Sequence, residues 1–211
     1  QSSNVHFAID FLTGIQKRNL GNKNAQYINV EDKKVVVIGG GDTAMDCVRT
    51  SVREGATSVK CLYRRDEANM PGSKKEVVNA KEEGVEFVFN VSPKSIKVEN
   101  DLAVGVELLE TSMSKSDTSG RQKVVLIEGS EYLEDADVII LALGFSPEVP
   151  SFLKELNVET NSWGGIVVDS NFKTSNKKVY AGGDCQRGAH LAVTAAVDGR
   201  EAAKTIIKEL L

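Results

Sequence analysis

Residues 35–46 read VVVIGGGDTAMD and decide the fold of this chain. A four-residue apolar run, 35–38, leads directly into three glycines and then into apolar residues at helical spacing. This change of period predicts a strand, a tight turn and a helix. The next stretch, residues 58–63, predicts a second strand, which lies parallel to the first because a helix connects them. The stretch therefore predicts a βαβ unit.

The glycine turn has the spacing of a dinucleotide-binding motif. Gly39, Gly41 and Ala44 fit G-x-G-x-x-G/A at the end of a strand and the opening of a helix. The first glycine allows the turn, the second lets a pyrophosphate approach the backbone, and the alanine lets the helix lie close to the strand. The alternative is a glycine-rich turn of an unrelated α/β protein, with Asp42 and Thr43 capping the helix; we expect Thr43 both to cap and to bind. The residues predicted for the phosphate contact are Gly39, Gly40, Gly41, Asp42, Thr43 and Ala44.

The end of the second predicted strand indicates the cofactor. In such folds an acid there binds the 2′-hydroxyl of NAD, whereas arginine accommodates the 2′-phosphate of NADP. Here Arg64 and Arg65 follow the strand, and two guanidinium groups can form charge-assisted bonds to a phosphate. NADPH is therefore favoured. In one alternative, Asp66 and Glu67 form ion pairs with the arginines on a solvent-exposed surface. In the other, one of these acids binds the ribose of NAD.

The rest of the chain predicts a mixed architecture. Ser73 and Glu76 have capping-box spacing before a short helix, and runs at 94–99, 104–110 and 123–128 predict a three-stranded antiparallel meander with a polar loop at 111–122. The run 136–143, which is apolar from residue 138 onward, predicts a strand buried on both faces of the parallel sheet. Beyond it we expect a short helix near 152–156, strands at 165–168 and 179–181, and a long helix from about residue 189. The first helix is expected to begin at Val5.

Composition excludes several classes of function. The 211 residues carry 26 basic and 30 acidic side chains, a formal charge of −4, which argues against nucleic-acid or anionic-membrane partners. No apolar run approaches the roughly 18 residues that span a bilayer, so a cytoplasmic protein is expected. Cys47, Cys61 and Cys185 include no CxxC pair, which argues against a dithiol centre, and we interpret all three as small apolar residues. No metal site is expected.

The same motifs carry a family resemblance. The segments VVVIGGGDTAMDCVRT (35–50), CLYRRDEANMPGSKKEV (61–77), NAKEEGVEF (79–87) and KVYAGGDC (178–185) resemble the small (beta) subunit of NADPH-dependent glutamate synthase. They are also similar to the large subunit of NADH-dependent ferredoxin:NADP oxidoreductase and to dihydropyrimidine dehydrogenase. The resemblance implies a Rossmann-like NAD(P)-binding domain with a parallel sheet and an antiparallel β-meander, plus the C-terminal part of an FAD-binding domain. This is the α/β fold of flavoproteins with two dinucleotide-binding domains.

The resemblance also implies a division of the chain and a second group of site residues. Residues 1–29 would be a helix and linker belonging to the FAD-binding domain, 30–146 the NADPH-binding domain, and 147–211 the C-terminal part of the FAD-binding domain. Gly183-Asp184 before a helix is by itself a moderate signal for a polyhydroxyl or phosphate contact, against the alternative of a simple turn. The residues implied for FAD are Gly144, Gly183, Asp184, Leu191, Ala192, Val193 and Thr194.

The function implied by the resemblance is electron transfer. A hydride would pass from NADPH to FAD, and electrons would continue through iron-sulfur clusters to a large subunit that makes glutamate from 2-oxoglutarate and glutamine. The clusters and the first FAD-binding strand have no counterpart in this chain, so we expect a fragment that is inactive and does not keep FAD alone. We expect no catalytic side chain in this chain, because in such proteins the reaction takes place on the cofactors. A sibling flavoprotein with another acceptor, and a module that only binds NADPH, remain alternatives.

Overall fold

A computed structural model describes residues 2–115 and 122–211, which divide into two compact units, Gln1–Gly144 and Phe145–Leu211. The first unit contains two sheets and three helices. The predicted loop at 111–122 has its centre outside the described residues, and residues 111–113 belong to a strand. In chain order the elements of the first unit are β1 (Val5–Phe7), α1 (Ala8–Asn19), β2 (Lys34–Ile38), α2 (Asp42–Arg53), β3 (Ser58–Tyr63), α3 (Lys74–Glu82), β4 (Glu86–Phe89), β5 (Val91–Glu99), β6 (Leu102–Met113), β7 (Val124–Leu126), β8 (Tyr132–Asp135) and β9 (Val138–Leu141).

The five-stranded parallel sheet confirms the predicted α/β core. Its order is β1-β9-β2-β3-β4, so β2 lies in the middle with β3 on one side and β9 on the other. Val35 and Val37 face a core that includes residues of α1, α2 and α3, whereas Val36 and Ile38 face a second core shared with the antiparallel sheet. A strand with buried side chains on both faces must be apolar without alternation, which explains the run at 35–38.

The N-terminal prediction is wrong in two respects. Residues Val5–Phe7 form strand β1, which pairs with β9 so that Val5 lies opposite Ile139. The helix starts only at Ala8. Helix α1 then buries Phe11 in the same core as Val35. Residues 1–29 lie in the unit Gln1–Gly144, and the predicted domain boundaries at residues 29 and 146 stay predictions.

The antiparallel sheet has one strand more than predicted. β5, β6 and β7 follow one another in the sheet, and β8 pairs with β6 with Gly105 opposite Asp135. A Cβ atom at Gly105 would lie 2.6 Å from the carbonyl oxygen of Glu134, so glycine allows the close approach of β8. The predicted capping box does not form: Ser73 is the N-cap of α3 but makes no side-chain cap, and the Glu76 carboxylate pairs with Arg49.

The second unit is mainly helical. It contains α4 (Phe152–Glu155), α5 (Asp184–Arg187) and the 19-residue α6 (Ala192–Leu210). The two strands predicted here appear only as single bridges, Thr160 with Ile166 and Lys173 with Tyr180. Across the described part of the chain, no helix combines the length and the apolar character that a membrane span requires.

Candidate functional site

The glycine turn lies at the carboxyl edge of the parallel sheet, directly after β2. The Gly39 N–H donates to the Leu62 carbonyl of β3 at 3.1 Å, which ties the start of the turn to the neighbouring strand. Gly39 has a φ of +151°, and a Cβ atom there would lie 2.3 Å from the Ala142 carbonyl oxygen. Both the backbone conformation and the close approach of the chain after β9 require glycine at this position.

The next two glycines differ in their surroundings. A Cβ atom at Gly40 would lie 2.4 Å from the Tyr63 ring, so Gly40 lets this aromatic ring pack flat against the turn. A Cβ atom at Gly41 would meet nothing within 4 Å, although φ is an ordinary −90°. Packing therefore does not require glycine at position 41. The open space beside this residue is what the phosphate-binding prediction demands.

Four consecutive backbone N–H groups are free at this turn. Within the described residues, the amides of Gly40, Gly41, Asp42 and Thr43 donate to no backbone or side-chain acceptor. They lie at the N-terminus of α2, where the helix dipole adds positive potential. Gly41 is the N-cap and no side chain caps the helix, so the expectation that Thr43 caps it is wrong. A set of unsatisfied donors at a helix start fits an anion such as a diphosphate.

The two predicted arginines lie at the same sheet edge, one strand away. The backbone carbonyls of both arginines accept hydrogen bonds. The Thr111 hydroxyl donates to the Arg64 carbonyl at 3.0 Å, and the Asn90 N–H donates to the Arg65 carbonyl at 3.1 Å. The Arg64 side chain is exposed and that of Arg65 is half-buried, with a weak 3.4 Å contact from its Nη2 to the Gln122 carbonyl. The Nε of Arg65 is buried and has no acceptor among the described residues.

The neighbouring acids do not neutralise these arginines. The Asp66 carboxylate accepts from the backbone N–H and the side-chain amide of Asn69, at 2.9 and 2.8 Å. Glu67 pairs with Lys81 at 2.7 Å. Neither arginine forms an ion pair with an acid in residues 2–115 or 122–211. Within those ranges, Asp66 and Glu67 therefore make their contacts with Asn69 and Lys81 rather than with the arginines.

The residues implied for FAD lie mostly in the second unit. Gly183 has a φ of +76° and leads into Asp184, whose carboxylate accepts a 3.3 Å bond from the His190 N–H. Leu191 is the N-cap of α6, and Thr194 in its first turn lies 2.9 Å from the His190 ring through Oγ1 and Nδ1. Ala192 and Val193 are exposed on the same turn. Gly144, with a φ of +84°, ends the first unit.

Three residues that lie near these sites, Tyr63, Gly72 and Asp198, were not among the predicted site residues. Tyr63 covers Gly40. Gly72 donates its N–H to the Gly40 carbonyl at 2.9 Å. The buried Asp198 of α6 accepts from the Gly183 N–H at 2.9 Å and from the Arg187 Nε at 2.8 Å, which holds the loop before Asp184 against this helix. Each acts through a contact between residues separated along the chain, which a single sequence does not reveal.

All three cysteines are free thiols. Cys47 and Cys61 are buried, and burial raises the pKa of each thiol to about 12, so both stay protonated at neutral pH. Cys185 is exposed, so our interpretation of it as a core residue is wrong; it lies in the first turn of the short helix α5. No cluster of three or more metal-ligating side chains occurs among the residues that the structure covers.

Known proteins resemble the chain over nearly its full length. It is 48% identical to the glutamate synthase [NADPH] small chain of Escherichia coli K12, over 98% of this chain and 45% of that protein. It is 46% identical to the putative oxidoreductase AegA of the same organism, over 96% of this chain and 32% of that protein. The chain therefore spans about half the length of these relatives, or less.

The fold also matches solved structures and a family model. Thioredoxin reductase of T. acidophilum superposes with a TM-score of 0.68 at 23% identity, covering 98% of this chain and 57% of that one, which supports the fold alone. The family model for pyridine nucleotide-disulphide oxidoreductases matches residues 2–199. With the parallel sheet, the glycine turn after β2 and this match, the chain belongs to the pyridine nucleotide-disulphide oxidoreductase family.

Proposed function

We propose that the first unit binds NADPH. The observation that carries this proposal is the row of amides at Gly40–Thr43 beside two arginines at the neighbouring strand end; among the described residues the amides have no acceptor and the arginines have no acid partner. The diphosphate would accept from the amides, and the open space at Gly41 would admit it. The 2′-phosphate would pair with Arg64 and Arg65, and the unsatisfied Nε of Arg65 would gain an acceptor.

In the longer protein the chain would serve a flavin-dependent oxidoreductase of the glutamate synthase small-subunit type. The hydride-transfer chemistry would be supplied by NADPH and FAD when both are bound. The residues of this chain bind and orient: Asp184 and the first turn of α6, Leu191–Thr194, would hold the flavin, and Asp198 would fix the loop that presents Asp184. Iron-sulfur clusters outside this chain would carry electrons to a large subunit that makes glutamate from 2-oxoglutarate and glutamine.

A second candidate has a different electron acceptor. The similarity to AegA, a putative oxidoreductase, is almost as high as the similarity to the glutamate synthase small chain. The NADPH site that we propose would be common to both candidates. Reduction of a low-potential ferredoxin by the longer protein, without glutamate formation when a large subunit is supplied, would favour the second candidate.

The arginine pair offers the test of the NADPH proposal. Replacing Arg64 and Arg65 with alanine removes the partners of the 2′-phosphate, a group that NADH lacks. NADPH affinity should fall by roughly 1 to 3 kcal/mol per lost charged bond, while NADH affinity changes little. Titration calorimetry of both nucleotides on the double variant measures this, with Arg53→Ala as a matched surface-arginine control, since Arg53 pairs with Glu83 at the far end of α2. Equal losses for the two nucleotides would remove the 2′-phosphate assignment.

A further inference from the structure

The loop between β3 and α3 is fastened to the glycine turn at two adjacent points. The Gly72 N–H donates to the Gly40 carbonyl at 2.9 Å, and the Ser73 N–H donates to the Asp42 carboxylate at 2.7 Å. We propose that Asp42 and Gly72 are positioning residues, which hold the turn in the conformation that presents its free amides to a dinucleotide phosphate. This inference rests on the proposed NADPH site and assigns the Asp42 side chain a role other than contact with the nucleotide.

The bond from Gly72 sets the direction of an amide. A trans peptide group is planar, with its carbonyl and its N–H on opposite sides. Since the Gly40 carbonyl points to Gly72, the N–H of Gly41 in the same peptide group points away from this loop. That N–H is one of the four free donors, and it borders the open space beside Gly41. Rotation of this peptide group would withdraw a donor from the phosphate site.

Close packing restricts this contact. Gly72 is buried, and a Cβ atom there would lie 3.1 Å from the Gly40 carbonyl oxygen and 3.4 Å from the Met45 side chain. The middle of the loop is held by the Tyr63 hydroxyl, which donates to the Asn69 carbonyl at 2.9 Å. The loop is therefore held at its middle and at its last residues, and Asp42 is the only side chain that secures those last residues to the turn among the residues described.

Because Asp42 is charged, the direction in which its replacement changes nucleotide affinity tests the proposal. A carboxylate beside a diphosphate repels it, so removing the charge alone should strengthen nucleotide binding. If the carboxylate instead fixes the turn, removing the acceptor weakens binding. Asp42→Asn removes the charge and keeps an oxygen that can accept from Ser73, whereas Asp42→Ala removes both. The two variants separate repulsion from positioning because they carry the same net charge.

The experiment titrates NADPH and NADH into the unmodified chain, Asp42→Ala and Asp42→Asn. We expect Asp42→Ala to bind both nucleotides about three- to tenfold more weakly, an effect typical of one lost hydrogen bond. The ratio of NADPH to NADH affinity should stay unchanged, because the diphosphate is common to both. Asp42→Asn should bind at least as tightly as the unmodified chain.

Ser73→Pro tests the same bond from its other partner. Proline removes the N–H donor, and the φ of −53° at Ser73 suits its ring. We expect the weakening seen in Asp42→Ala, with no further loss in the double variant, because both changes break one interaction. Thermal unfolding followed by circular dichroism establishes that each variant is folded.

Three results would overturn the inference: tighter binding by Asp42→Ala, equal weakening by Asp42→Ala and Asp42→Asn, or additive losses in the double variant. Failure of the NADPH proposal has a different signature, since the unmodified chain would then not saturate with NADPH, and the positioning role would fall with it. A lower NADPH to NADH ratio in Asp42→Ala would instead move Asp42 to the arginine site and also contradict the inference.

Discussion

Two alanine substitutions in the glycine turn should separate folding from binding. Gly39→Ala places a β-carbon 2.3 Å from the Ala142 carbonyl and forces a non-glycine residue to φ +151°. The conformational strain costs about 1 to 3 kcal/mol, and the overlap costs about as much again, so the free energy of unfolding should fall by about 2 to 6 kcal/mol. Gly41→Ala meets no neighbour at an ordinary φ, so its unfolding free energy should change by less than about 0.5 kcal/mol.

For nucleotide binding, Gly41→Ala is the variant with the large effect. The added methyl group of Gly41→Ala occupies the space through which the diphosphate would approach, and NADPH affinity should fall at least about tenfold. Urea unfolding followed by circular dichroism, with and without NADPH, measures both quantities. At a concentration about 100 times its Kd, NADPH should add about 2.7 kcal/mol to the stability of the unmodified chain. For Gly41→Ala the gain should be about 1.4 kcal/mol or less.

The two variants serve as controls for each other, since they make the same chemical change two positions apart. If Gly41→Ala binds NADPH as tightly as the unmodified chain, the open space at this turn does not receive the diphosphate. If Gly39→Ala unfolds at the same urea concentration as the unmodified chain, the close approach to Ala142 does not constrain the fold.

Two further predictions concern ionisable groups outside the turn. The guanidinium groups of Arg49 and Arg53 hold the pKa of Glu83 at about 2, against an ordinary 4.5, so its stabilising effect is present above pH 4.5 and is lost as pH falls to 2. Glu83→Gln should therefore flatten this part of the pH profile of the unfolding free energy; an unchanged profile would contradict it. A thiol reagent such as DTNB at pH 8 should label Cys185 rapidly while two thiols react only on unfolding, and Cys185→Ser should abolish the rapid reaction.

The central βαβ unit was predictable because its determinants are local. The strand at 35–38, the three glycines and the helix lie within one continuous stretch, and β3 follows after a single helix. Parallel pairing then brings Arg64 to the edge where the glycine turn lies, because the carboxyl ends of adjacent parallel strands meet at one edge. The position of Arg64 therefore follows from the order of the strands and the helix along the chain.

The features that were missed depend on contacts between distant residues. Strand β1 has three residues, too few to show a period, and it exists because β9 lies beside it more than 130 positions along the chain. The capping box failed because Arg49 from another helix attracts Glu76. The interpretation of Cys185 failed because the turn that contains it is exposed, which residue type alone does not indicate.

The most direct test of the account is to titrate NADPH and NADH side by side into the unmodified chain by calorimetry at low salt. The amides of Gly40–Thr43 predict binding of both nucleotides. The two arginines, which pair with no acid among the described residues, predict that NADPH binds at least about tenfold more tightly. Equal affinities would contradict the role given to Arg64 and Arg65, and no binding of either nucleotide would contradict the site as a whole.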